Sequence, residues 1–269
     1  MMSDTKAIDT TTATAVKTAA QTAATVMVRP KKRSAVFVIM RRELSAYFAS
    51  PIAYIVGGLF LIFPAIFFVN VFFLNNRAEL RNFFALLPFI FPLFVPALTM
   101  RMLAEEKRVG SLETLLTLPV TAVDVVLGKY IAACISGAVL LVPTLFYVVT
   151  CCIFGSPDFG PIIGGYLGAL FLIAAYSAIG LFATSVTRNQ IIAFFVALSL
   201  CFAVTFIGTT FFLLFLPASL VGFLSYFSAY DHFVQISRGI IDSRDLLYFV
   251  SVAALFLVLT VQSLKRDRS

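Results

Sequence analysis

Tryptophan is absent from this chain, histidine occurs once, and only 12% of the residues are charged. Each shortage closes a class of function. The lone His232 cannot supply the histidine pairs of common catalytic and zinc centres, and no HExxH segment occurs. No GxxxxGK[ST] segment occurs either, so the chain lacks a phosphate-cradling P-loop of its own. Cys134, Cys151, Cys152 and Cys201 lie in apolar runs without metal-ligand spacing. They read as small buried apolar residues rather than as a redox or metal site. No catalytic residue and no metal ligand are expected. Soluble domains average about 25% charge, so a shortage this deep excludes an ordinary soluble fold.

What fills the sequence instead is hydrocarbon. Hydrophobic residues make up 61% of it, with 30 Phe, and the mean hydropathy is +1.00. The solvent is therefore a bilayer. Interfacial belts use Trp and Tyr, so the tyrosines must serve alone, and Tyr47, Tyr54, Tyr130, Tyr166, Tyr226 and Tyr248 fall near span ends. The net charge of +7 would suggest nucleic acid in a soluble protein. Here the basic residues cluster at span ends, so orientation in the membrane explains them and no nucleic-acid partner is expected.

Read in order, residues 1–33 are rich in Thr and Ala and lack the apolar core of a signal peptide. They are expected to form a flexible cytoplasmic tail. From Ser34 to Ala49, Val36, Met40, Leu44 and Tyr47 follow helical spacing, with Arg41, Arg42 and Glu43 on another face. This predicts a helix lying in the cytoplasmic interface. The remainder, 34–269, divides into expected spans at about 52–74, 82–104, 125–154, 162–186, 191–207 and 246–264, each near or above the length that crosses a bilayer. Pro88, Pro92 and Pro96 share one side of the second span. They predict either a kinked packing helix or a hinge. The fourth span carries Gly164, Gly165, Gly168, Ala174, Ala175, Ala178 and Gly180, which would let backbones approach closely. The uncharged stretch from Gln190 to Tyr230 is too long for one span and short for two. A fifth span followed by an outer re-entrant hairpin at about 209–223 fits it. The fold class is therefore an all-α polytopic membrane protein with six transmembrane helices.

Charge supports this topology. With both termini cytoplasmic, only Arg77, Arg81, Arg238 and Arg244 of the 20 Lys and Arg fall on outer segments, the expected positive-inside bias. No charged residue is expected deep in a span, and no intramembrane carboxylates pair. A proton- or ion-coupled carrier usually needs such groups, so energy must arrive from elsewhere.

The place for it to arrive is Met100–Tyr130, MRMLAEEKRVGSLETLLTLPVTAVDVVLGKY. Glu105, Glu106, Lys107 and Arg108 end the second span in water. Gly110 permits a turn, Leu112, Leu115 and Leu116 form an apolar face at helical spacing, and Pro119 stops that helix. Asp124 and Lys129 lead into the third span. A short polar helix at about 110–119, held between two spans, is a handle on which an outside body can push.

This run resembles the membrane subunit of type 2 ABC transporters, in which a span ends in an MR..AEE...G(T/S)LE.LL..P segment, then a coupling helix, then a GK at the start of the next span. ELSAYFASPIAYIV, LVPTLFYVV, FLIAAYSAIGLFATSVTRNQIIAF and GIIDSRDLLYFVSVAALFL are similar to the gliding-motility (GldF-like) branch, with the permease associated with copper-site maturation a more distant relative. The resemblance implies a permease subunit in a bacterial inner membrane. It implies a cytoplasmic ABC ATPase dimer that binds ATP and Mg, with no cofactor on this chain, and a second permease subunit, identical or related. In gliding-type systems that second subunit carries a large periplasmic domain. It also assigns Glu105, Glu106, Arg108, Gly110, Ser111, Leu112, Glu113, Leu115 and Leu116 to the ATPase-facing segment. Arg41, Arg42 and Glu43 would contact the ATPase or membrane lipid headgroups, and Asp231, His232, Arg238, Asp242 and Asp245 would meet an outer partner. The activity implied is export or force transmission. The rival is a non-transporting membrane scaffold that recruits an ATPase or a motility apparatus.

Overall fold

The computed structural model describes residues 32–75, 80–110, 120–155, 157–207, 226–240 and 242–266. All its regular structure is helical: α1 (Lys32–Phe48), α2 (Pro51–Asn75), α3 (Arg81–Thr99), α4 (Ala104–Val109), α5 (Ala122–Leu141), α6 (Leu145–Phe154), α7 (Phe159–Val186), α8 (Gln190–Phe206), α9 (Ala229–Ser237) and α10 (Ser243–Arg266). Two units are distinguished, Met1–Ala35 and Val36–Ser269. Of the first only the opening of α1 is described, and the second holds every other helix. The expected tail, the coupling helix beyond Gly110 and the outer hairpin lie outside the described residues.

Among the described residues, five helical stretches are long and apolar enough to cross a membrane: Pro51–Asn70, Arg81–Val109, Ala122–Phe154, Phe159–Val186 and Ser243–Arg266. The stretch expected as a span over 191–207 is α8, whose 17 residues fall just short of the roughly 20 that cross the hydrocarbon core.

α7 is the hub. It packs against α3, α5, α8, α9 and α10. Its most apolar window is 72% buried, against 22% for α2 and 17% for α10. Those two therefore keep most of their apolar surface for lipid or another subunit. Small residues explain the difference. A Cβ on Gly165 would lie 2.5 Å from the Phe84 ring of α3. One on Gly180 would collide with the Thr99 hydroxyl, and one on Gly164 with the Ile236 carbonyl of α9. Close approach of this kind replaces the hydrophobic drive that lipid removes.

Helix ends follow local chemistry. Thr121 and Asp124 form a reciprocal capping box that starts α5, a few residues before the expected start of the third span. Asp158, Asn189 and Ser228 cap α7, α8 and α9 through their side chains. The third span is not continuous. Pro143 lacks an N–H, and Val142–Thr144 form a 3₁₀ turn between α5 and α6. There the Thr144 hydroxyl donates to the Leu141 carbonyl at 2.6 Å. α3, by contrast, stays helical through Pro88, Pro92 and Pro96, all buried.

Candidate functional site

The charged end of the second candidate span builds a site where several helices end together. α3 stops at Thr99, the chain turns, and the six residues of α4 follow, ended by Gly110 in the left-handed region at φ 77°. Only glycine adopts that conformation cheaply. Within α4, Glu105, Glu106 and Lys107 each reach a different neighbour.

Glu106 enters a ring of ion pairs. Its Oε1 lies 2.6 Å from Arg42 Nη2 of α1 and 3.0 Å from Lys129 Nζ of α5. Glu43 Oε1 lies 3.1 Å from the same Arg42 nitrogen and 2.9 Å from the same Lys129 nitrogen. Two acids and two bases thus alternate around a closed circuit joining α1, α4 and α5. Lys129 is fully buried and also donates to the Met102 carbonyl at 2.7 Å. Its three ammonium donors therefore meet three acceptors. Such saturation is what makes a buried ammonium tolerable. Burial works against the Arg42 charge, but hydrogen bonding and attraction from Glu43 and Glu106 outweigh it and raise its pKa above the ordinary arginine value.

Glu105 turns back to its own span. Arg101 grips it at 3.1 and 3.4 Å and donates to Ser50 Oγ at the α1–α2 turn at 3.3 Å. Lys107 donates to the Ser185 carbonyl, which also accepts from Ser263 Oγ of α10 at 3.1 Å. Ser185 sits in the last turn of α7, where carbonyls lack intrahelical donors and cations are favoured. One short helix thereby touches α1, the turn after α3, α5 and the end of the hub. Arg108 and Gly110 face outward.

α1 carries Ile39 inward, with Met40, Leu44 and Tyr47 half-buried, while Phe37, Val38 and Arg41 are exposed. Its apolar residues lie on both faces. The close seat of α1 on α5 comes at Gly128, where a Cβ would lie 2.9 Å from Ile39.

On the opposite side of the fold, His232 and Asp245 turn to each other, with Nδ1 and Oδ1 2.6 Å apart. The imidazole stacks on Tyr248 at 4.3 Å, and its Nε2 lies 3.1 Å from the Tyr226 carbonyl. Burial raises the Asp231 pKa, opposed by the Ser228 hydroxyl and His232. Arg238 is exposed, and Asp242 lies just before α10.

Ser111, Leu112, Glu113, Leu115 and Leu116 lie outside the described residues. Sequence reasoning misses the role of Lys129. The order of the chain makes it the lead into a span, yet it is the buried centre of the ring. The signal is a lysine inside a capped apolar helix, with Glu43 and Glu106 earlier in the chain.

Family likeness decides the class. The family described as ABC-2 family transporter protein matches residues 3–267. The chain belongs to that ABC-2 family. No curated protein matches it. ABC-2 membership, with the apolar helices, makes this a multi-pass membrane permease subunit of an ABC transporter, and it implies partnership with a cytoplasmic ATPase. ABC-2 subunits are not normally catalytic themselves.

Proposed function

We propose that this chain receives the closing movement of a separate cytoplasmic ATPase pair, loaded with ATP and Mg, on Glu105–Leu116 and passes it to the membrane helices. The carrying observation is the wiring of α4. Three consecutive side chains link it to α1 and α5, to the turn that follows α3, and to the end of α7, so a push on α4 reaches these neighbours together. Leu112, Leu115 and Leu116 fill an apolar groove of the ATPase, with Arg108 and Glu113 at the rim.

In this reading the protein crosses a bacterial inner membrane with six spans, keeps both termini in the cytoplasm, and pairs with a second permease subunit, identical or related. Pro88, Pro92 and Pro96 give α3 the freedom to act as a hinge, and the outer residues Asp231, Arg238 and Asp242 dock an outer partner. The gliding-branch likeness favours export or force delivered to such a partner.

The test is co-purification. Replacing Leu112, Leu115 and Leu116 with Asp should abolish recovery of the ATPase while membrane insertion is unchanged. Normal recovery of the ATPase with the triple variant would overturn the proposal.

A further inference from the structure

A cavity of about 380 Å³ opens beside the ion-pair ring, between α1 and the inner ends of α2 and α3. Its size falls in the roughly 300–1,000 Å³ range of small-molecule sites. Its walls divide by chemistry. Ile52, Ala53 and Leu98, from the bilayer ends of the spans, make one side apolar. Tyr47, Arg101 and Glu105 make another polar, and Arg42, Glu43 and Glu106 of the ring close it.

Three groups on the polar side have capacity to spare. The Tyr47 hydroxyl is buried and has no hydrogen-bond partner among the described residues. Burial pushes its pKa up to about 12, so it stays a donor at neutral pH. Arg101 uses three N–H donors, on Glu105 and Ser50, of the five a guanidinium has. Glu105 is 44% exposed and accepts only from Arg101 among its described side-chain contacts. Donors and an acceptor thus stand side by side. The charges of the wall are already paired within the protein, so it does not select for net negative charge. A ligand here must offer both a phosphate and an ammonium, and it must have an apolar body.

We infer that this cavity holds the headgroup of a zwitterionic aminophospholipid of the inner leaflet. Its phosphate accepts from Tyr47 and Arg101, its primary ammonium donates to Glu105, and its acyl chains run out over the exposed Ile52. A quaternary choline headgroup has no N–H to give Glu105, and a glycerol headgroup has no cation. The site therefore ranks phosphoethanolamine above both. The inference rests on the membrane location of the chain and not on the ATPase reading.

The full-length chain in nanodiscs of equal parts phosphatidylethanolamine, phosphatidylcholine and phosphatidylglycerol, released into the gas phase, reports the lipid it retains. One phosphatidylethanolamine per chain is expected. Tyr47→Phe removes only the unpartnered hydroxyl, so the fold is kept, and retention should fall roughly five-fold, the worth of about one hydrogen bond. Glu105→Gln should erase the preference for ethanolamine over choline while leaving phosphate binding. Ala53→Phe should fill the apolar side and abolish retention. Equal retention of the three lipids by the native chain would overturn the proposal, as would retention that Tyr47→Phe and Ala53→Phe leave unchanged. Competition by inorganic phosphate alone, with loss of the bound lipid, would assign the site to a free anion and would also overturn it.

Discussion

At the scale of single residues, Lys129 carries the most consequence. Its ammonium is fully buried, and Glu43 and Glu106 are 14% and 15% exposed. Lys129→Met would leave two carboxylates facing each other without the buried ammonium between them. Removing one partner of a buried pair costs about 3–5 kcal/mol, so thermal unfolding of the detergent-solubilised protein should show a large loss. The triple variant Lys129→Met, Glu43→Gln, Glu106→Gln removes the three least exposed charges together, leaves the exposed Arg42, and should recover most of it. No recovery would mean that the lysine acts through packing and not through the ring. Arg42 is 55% exposed, so Arg42→Gln should cost only about 0–1 kcal/mol. The ring is hard to read from sequence because its glutamates lie far from Lys129 along the chain, and nothing local to any of them names the others. His232 and Asp245 are a nearer pair, concealed because each reads as a separate docking residue. The Thr121 cap, in contrast, is written in the T-x-x-D spacing itself.

At the scale of elements, α7 shows what is legible. The small residues at Gly164, Gly165, Gly168 and Gly180 predict close approach, and that is where α3 and α9 seat. Glycine count does not itself say which helix arrives, since that depends on the matching bumps, Phe84, Thr99 and Ile236, elsewhere in the chain. A Cβ at Gly180 meets Thr99, whereas one at Gly58 of α2 has open space. Gly180→Ala should therefore destabilise by about 1–3 kcal/mol, the usual cost of overpacking. Gly58→Ala should be neutral or slightly stabilising through helix propensity. Adding Thr99→Ala to Gly180→Ala should return part of the loss. Unfolding midpoints of the native protein and these variants check this, and an equal effect at both glycines would refute the packing account. The break at Pro143 is visible as a proline in an apolar run. Hydrophobic length alone conceals it, because the run reads as one span whether or not its helix is continuous.

At the scale of the whole molecule, the apolar runs make the all-helical membrane class plain, because hydrocarbon permits little else. The number of crossings is a separate matter, since it depends on Gly208–Tyr230, where no charge marks the path. Labelling can decide it. Ser243 is exposed at the start of α10, and Ser243→Cys should react with an impermeant thiol reagent in intact cells if six spans place that end outside. Reaction only after the membrane is broken would reverse the orientation of α10.

The ring of Arg42, Glu106, Lys129 and Glu43 has one further property. Its two positive and two negative groups sum to zero, and they are held by one another across three helices. A lone charge shifted through the membrane field gains or loses about 2.3 kcal/mol per 100 mV. A displacement of α1, α4 and α5 that keeps the ring intact moves no net charge from these four groups. The membrane voltage then does no net work on them, and the energised and the discharged membrane present the same resistance to such a displacement.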